Sequence, residues 1–283
     1  MIASTETAAL GEARINGVAC AELCAGIVIP REALHTVWLG GSLLDGLGNP
    51  GSDIDVFVTT EEALPLSATT KRLAHHDIVI RYISGKRVDY EYWDSKHVHG
   101  LLRRVGQNDF ATESSNVLGL FDDDELALLH GLGIGRPLQR PDRFAKLRAT
   151  LNLRALGSYL YELRCLYVDD AVDDAAGIYH EGDYQTAALR AREAVGFAID
   201  CLLHSHGVTN HGQKHRLPLL RRLVESRPEL GPRLKDYWRV TTSIPPTHLG
   251  CKQFTEQALE LVEQILLQTY VLTGRVSRAE GSA

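Results

Sequence analysis

The sequence predicts an α+β protein in which a small α/β half precedes a helical half. Three observations carry that reading. Short β-rich runs, set apart by glycine-rich turns, are confined to the residues up to Trp93. From about 95 to 272 the apolar residues recur at three- and four-residue spacing, the period of a helix. Two prolines in Arg136–Arg143 (RPLQRPDR) mark a connector between the two patterns.

Taken in order, residues 8–28 carry small and aliphatic side chains at helical spacing and predict a helix that Pro30 stops. His35–Gly40 (HTVWLG) predicts a first strand. A loop dense in glycine (Gly40, Gly41, Gly46, Gly48, Gly51) then leads into Asp53–Val58 (DIDVFV), a second strand. Residues 61–74 suggest a helix. Asp77–Ile83 and Arg87–Trp93 predict two more strands, and the Ser84-Gly85-Lys86 connection is short enough for a hairpin.

In the second half, residues 143–167 place Leu147, Leu151, Leu153, Leu156, Leu160 and Leu163 on one broad face. Residues 184–204 predict a further helix that ends near Gly207. The last helix carries Leu261, Val262, Ile265, Leu266, Thr269 and Leu272 as an apolar stripe, closed by Gly274. These elements divide the chain into residues 1–138, a helical domain over 139–275, and a disordered tail over 276–283.

Composition narrows the function classes. The 283 residues are 44% hydrophobic and 23% charged, ordinary for a globular chain that buries a sizeable core. Net charge is −6 and no run of lysine and arginine forms a stripe, which disfavours a long nucleic acid as partner. Cysteines at 20, 24, 165, 201 and 251 are odd in number and form no framework, so reduced thiols are expected. The first residues lack a basic region followed by an apolar core. No stretch approaches the ~20 apolar residues that cross a bilayer, so the expected setting is cytoplasmic, with no membrane association.

The segment richest in chemistry is Gly40–Asp55 (GGSLLDGLGNPGSDID). Alternation along the second strand points Asp53 and Asp55 the same way and turns Ile54 to the core. Two carboxylates so close repel unless a multivalent cation sits between them, and hard oxygen ligands suit Mg²⁺. The Gly41-Ser42 turn leaves backbone N–H groups and a hydroxyl free to approach a triphosphate, with Ser52 placed alongside. On the hairpin strand Asp89 and Glu91 share one face, and either supplies a third carboxylate for a site with two metal ions.

The ordered combination of Gly-Gly-Ser, a spacer, Asp-x-Asp and a later hydrophobic-Asp strand resembles the DNA polymerase β-like nucleotidyltransferase superfamily. The Asp89-Tyr-Glu91 arrangement before Trp93, together with the helical half, resembles its small-molecule branch, the aminoglycoside (kanamycin) nucleotidyltransferases. The motif resemblance spans residues 35–93. It implies a nucleotidyltransferase catalytic domain with a mixed sheet over 1–138, then a helical bundle. Gly41, Ser42 and Ser52 would bind the NTP, ATP foremost; Asp53, Asp55 and Asp89 would hold two Mg²⁺ ions; Glu91 would assist. The implied reaction moves an NMP group onto a hydroxyl of a small molecule, in antibiotic resistance or biosynthesis, and releases pyrophosphate.

The resemblance also implies a homodimer. Within the helical half, Arg190 on the face of Glu193 is either a cation for the triphosphate or half of a surface ion pair. Lys214, beside His215 and Arg216, resembles the basic patch that follows this helix in relatives, with His215 in place of an aromatic residue, and is a second candidate cation for the triphosphate. His204, His206 and His211 lack zinc-ligand spacing, and the acidic clusters at 122–125 and 169–174 suit solvated faces or helix N-termini. Two alternatives share the catalytic residues: an antitoxin-type or regulatory enzyme acting on a protein partner, and an oligonucleotide second-messenger synthase.

Overall fold

The computed structural model describes residues 13–29, 34–62, 64, 71–108, 110, 117–210, 212–243 and 245–273. Two compact units emerge: Met1–Asn108 with Phe121–Asn152, and Asp109–Leu120 with Leu153–Ala283.

The first unit is built on a six-stranded mixed sheet. Its strands are β3 (Leu34–Leu39), β4 (Ile54–Thr60), β5 (Lys71–Arg72), β6 (His76–Ile83), β7 (Lys86–Asp94) and β8 (Arg136–Gln139). They lie in the order β5-β6-β7-β4-β3-β8, and the central pair β4 and β7 runs parallel while the other pairs are antiparallel. β6 and β7 form the expected hairpin, with Ser84 and Gly85 at φ 51° and 76°, as a tight primed turn requires.

Alternation sorts the two faces of this sheet. Val37, Leu39, Ile54, Val56, Val58, Val88, Tyr90 and Tyr92 pack one buried cluster with Val18, Cys20 and Leu23 from the N-terminal segment. Tyr90 Oη donates to the Leu23 carbonyl at 2.8 Å, and the Val28 N–H donates to Tyr92 Oη at 3.0 Å. On the opposite face Trp38 stacks on Phe57 at 5.4 Å and meets Phe144 at 5.8 Å. That face is served by α3 (Ser95–Gln107), α4 (Asp123–Ile134) and α5 (Pro141–Ala149).

The N-terminal segment differs from its expected single helix. Residues 8–12 lie outside the described residues, and the remainder forms a small hairpin, β1 (Arg14–Ile15) and β2 (Val18–Ala19), before a short α1 (Cys20–Ala25). Asn16 and Gly17 adopt φ 48° and 88°, so an Asn-Gly turn overrides the helical spacing around it. Within the segment 61–74, expected to be a helix, the described residues include strand β5 at Lys71–Arg72, held by the Arg72–Asp77 ion pair at 2.8 Å. Residues 63 and 65–70 of that segment lie outside the described residues. Residues 139–152 sit in the first unit, because β8 adds an edge strand to the sheet and α5 follows it directly.

The second unit is helical, a bundle of α6 (Leu153–His180), α7 (Tyr184–Ser205), α8 (Arg216–Ser226), α9 (Gly231–Thr242) and α10 (His248–Thr273). Asp183 caps α7 by accepting from the Thr186 N–H at 3.1 Å. Ala187, Ala188, Ala191, Ala194 and Ala198 are fully buried, and their small size lets α6 and α10 pack against α7. Residues 109–120 join this unit through Phe110 and Val117: Phe110 meets the Tyr159 ring edge-on at 5.2 Å, and Tyr159 Oη donates to the Val117 carbonyl at 3.1 Å.

Candidate active site

The parallel pairing of β4 and β7 decides which carboxylates meet. Register sets Asp55 beside Asp89, and Phe57 beside Glu91, on the face away from the main apolar cluster. Asp53 stands immediately before β4, in the loop that delivers the strand. The three aspartates therefore gather at one end of the central strand pair, with Asp55 and Asp89 on neighbouring backbones.

The loop before β4 packs against Asp55. β3 ends at Leu39, the Gly40 N–H donates to the Asp55 carbonyl at 3.1 Å, and Gly41 begins a four-residue helix, α2 (Gly41–Leu44). Gly41 has φ +72°, and a Cβ placed on it would lie 1.7 Å from Asp55 Oδ2. Only glycine serves here, on both conformational and spatial grounds. The Ser42 carbonyl accepts from the Leu47 and Gly48 N–H groups at 2.9 and 2.8 Å, which folds the loop back on itself. His130 of α4 reaches Asp45 at 3.4 Å and ties this loop to the helix behind it.

Two further anchors fix the approach to Asp53. Asn16 Nδ2 donates to the Ser52 carbonyl at 3.0 Å, and Lys86 Nζ donates to the Pro50 carbonyl at 2.5 Å. Ser52 Oγ accepts from the Asn49 N–H at 2.9 Å, so this hydroxyl is engaged in the turn.

One charged residue at the site escaped the sequence reading. Arg87 shares its strand face with Asp89 and forms a bidentate pair with it, Nε to Oδ1 at 2.7 Å and Nη2 to Oδ2 at 2.6 Å. Its Nε also lies 3.7 Å from Asp53 Oδ2. The guanidinium is held firmly protonated by the Asp89 carboxylate. The signal was available: alternation places residues 87, 89 and 91 together.

Glu91 has a different environment. Its Oε2 accepts from Trp93 Nε1 at 3.1 Å, and loss of solvation pushes its carboxyl up to about 8, with Asp55, Asp124 and Asp89 adding repulsion. Asp89 is thus the carboxylate that stands beside Asp55, while Glu91 sits two register positions further along, next to Phe57.

Arg190 and Lys214 belong to the second unit. Arg190 pairs with Asp174 and with Glu193 at 2.6 Å, with Asp170 at 4.0 Å. Lys214 lies exposed in a single 3₁₀ turn, Gln213–His215. Arg216, by contrast, is bound inward to the buried Asp200 by two hydrogen bonds of 2.7 Å.

Among the described residues another group has the composition of a cation site: His75, His97 and Glu125 offer ligand atoms within 4.8 Å of one another. The imidazoles stack in parallel at 4.1 Å and 8°, so their in-plane lone pairs do not converge on one point. Glu125 Oε1 meets His97 Nε2 at 2.9 Å and Arg104 Nη2 at 3.0 Å, and Oε2 accepts the Asp122 N–H at 3.0 Å in a capping box. This cluster ties α3 to the start of α4, and the acidic run at 122–125 is that helix's N-terminus.

Residues 30–110 match the family model of the nucleotidyltransferase domain. The crystal structure of a nucleotidyltransferase-like protein from Exiguobacterium sibiricum 255-15 is similar over 86% of this chain and 72% of that one. Sequence identity is 14% and the TM-score 0.48, a likeness on which no functional argument rests. No curated protein matches the chain. Among the described residues no helix is long and apolar enough to cross a membrane. The domain match spans the glycine loop, the three aspartates and Arg87, and it sets the enzyme class as nucleotidyl transfer.

Proposed function

We propose that this nucleotidyltransferase domain moves a nucleoside monophosphate from an NTP, ATP foremost, onto a hydroxyl of a small molecule, and that pyrophosphate leaves. The observation that supports it best is the set of three carboxylates at one end of the β4–β7 pair, beneath a glycine turn with no room for a side chain.

A divalent cation fits the donor set. Carboxylate oxygens on two neighbouring strands are hard ligands, and the missing Cβ of Gly41 lets Asp55 Oδ2 lie directly against the glycine turn. Asp53, Asp55 and Asp89 would hold two Mg²⁺ ions. When bound, the metal supplies charge neutralisation at the phosphates and orients the attacking and leaving oxygens. The chain's own groups do the rest. The Gly41-Ser42 backbone and hydroxyl donate to phosphate oxygens, and the clamps from Asn16 and Lys86 keep Asp53 in place. The Asp89 carboxylate accepts the proton of the acceptor hydroxyl. The acceptor oxygen then bonds to the α-phosphorus as the bond to pyrophosphate breaks.

The acceptor is a small molecule, and the acidic balance of the chain favours a cationic one such as an aminosugar. The reaction serves drug modification or biosynthesis in a cytoplasmic setting, with the chain as a homodimer.

Pyrophosphate release with Mg²⁺ and each common NTP, against a panel of hydroxylated small molecules, tests the reading. Release that depends on an acceptor and vanishes in an Asp53→Ala, Asp55→Ala variant is the expected result. Nucleotide products without an acceptor would identify a second-messenger synthase. NTP·Mg²⁺ binding with no turnover until a protein partner is added would identify the regulatory type.

A further inference from the structure

We infer that Arg87 is a resident counter-ion of the carboxylate site, one that holds Asp89 in the nucleotide-free protein and makes divalent cations bind together with the nucleotide. The inference rests on the proposed roles of Asp53, Asp55 and Asp89 as metal ligands.

The geometry is specific. Arg87 spans the site: its Nε and Nη2 engage both oxygens of Asp89, and its Nε lies within 3.7 Å of Asp53. A fork on both carboxylate oxygens takes one lone pair of each and sets a positive charge against Asp89, so a metal ion must compete with it there. The strand places it there rigidly, because the backbone of Arg87 pairs with Tyr82 next to the Ser84-Gly85 turn. The far side is open, since the Arg87 side chain is 45% exposed against 15% for Asp89. Arg87 can therefore leave Asp89 by rotating its side chain, with no change in the sheet.

Charge explains why it leaves. Two carboxylates, Asp89 and Asp53, meet this one guanidinium, and Asp55 stands beside Asp89 in the sheet, so the nucleotide-free site is only partly neutralised and retains attraction for cations. A divalent ion arriving alone must displace the fork and lose hydration. A triphosphate arriving with its metal offers the fork new oxygens of matching geometry, so Arg87 exchanges Asp89 for a phosphate. Metal and nucleotide then raise each other's affinity, as linkage demands.

Mn²⁺ titration of the nucleotide-free protein, followed by the paramagnetic resonance of the free ion, tests this without turnover. Arg87→Gln should bind Mn²⁺ about tenfold more tightly than wild type, the scale of a charge-assisted pair discounted for solvent screening. Arg87→Lys, which keeps the charge and loses the fork, should fall between them and guards against a folding defect in the glutamine variant. Wild type should reach the affinity of Arg87→Gln only when a non-hydrolysable NTP analogue is present. Equal Mn²⁺ affinity in wild type and both Arg87 variants, with loss in Asp53→Ala, Asp55→Ala, would overturn the inference and leave the metal ligands standing. Unchanged Mn²⁺ binding in Asp53→Ala, Asp55→Ala would overturn the metal assignment itself, and the inference with it.

Discussion

At the scale of single residues, the site depends on one glycine and on the division of labour between two acids. Gly41→Ala adds a carbon 1.7 Å from Asp55 Oδ2 at a backbone angle that L-residues avoid. Turnover should fall on the order of a hundredfold, because a carboxylate pushed aside by an ångström loses its alignment. Steady-state pyrophosphate release checks this; wild-type rates would show that the loop relaxes freely. Asp89 and Glu91 separate in the same assay. Glu91, pushed up to about 8 by loss of solvation, is already largely neutral near pH 7, so Glu91→Gln keeps its bond to Trp93. It should retain activity within about threefold, under 1 kcal/mol of barrier, whereas Asp89→Asn should lose it. The aspartates and the glycine turn were legible in the sequence because a strand's alternation is rigid and both motifs are short. Ser52 was legible only as a polar neighbour, and its hydroxyl turns out to hold the loop. Which of Asp89 and Glu91 lies beside Asp55 depends on the register of β4 against β7, a long-range pairing that no local pattern encodes.

At the scale of elements, the strands were easier to read than the segments around them. Val, Ile, Tyr and Phe in alternation marked β4, β6 and β7 to within a residue or two. The N-terminal segment misled because its alanines carry a helical period, while the Asn16-Gly17 turn signal between them decides the fold. The strand at Lys71–Arg72 pairs with β6 and is joined to it by an ion pair five positions along, and its own two residues give no strand pattern. Strand β6 shows how neighbouring elements set pH dependence. His76 on β6 is buried and stacked on Trp93 at 4.1 Å, and burial lowers its pKa from the ordinary value. The sign follows from the unfolded chain, where His takes up a proton near pH ~6.5. The neutral ring's contribution is complete above that pH and is lost as pH falls towards the lower folded value. Melting temperature should therefore drop between pH about 7 and about 5.5. His76→Phe should reduce the slope without abolishing it, since His35 and His97 shift the same way. A slope identical to wild type would mean that the fold does not shift His76.

At the scale of the whole molecule, the fold class and the order of its two halves were legible, because the change of period from two to three-and-a-half needs no tertiary knowledge. The share of each unit was less so: Asp109–Leu120 belongs with the helices through Phe110 and Val117, contacts that sequence position conceals. The interior of the bundle hid an ion pair as well. Asp200 and Arg216 are sixteen positions apart and buried against each other, and Arg164 approaches at 3.6 Å. Removing one partner strands a buried charge, so Asp200→Ala should cost about 3–5 kcal/mol in denaturant unfolding. Arg190→Ala, in a half-exposed network with Asp174 and Glu193, should cost at most about 1 kcal/mol. Equal costs would show that burial does not distinguish the two networks. The central claim, nucleotidyl transfer at the three aspartates, is tested most directly by following phosphorus. With an NTP labelled at the α-phosphorus, the label should appear on the acceptor, and with a γ-label it should appear in pyrophosphate, both only when Asp55 and Asp89 are intact. Label from the γ-position on the acceptor, or transfer that survives Asp55→Asn and Asp89→Asn, would contradict it.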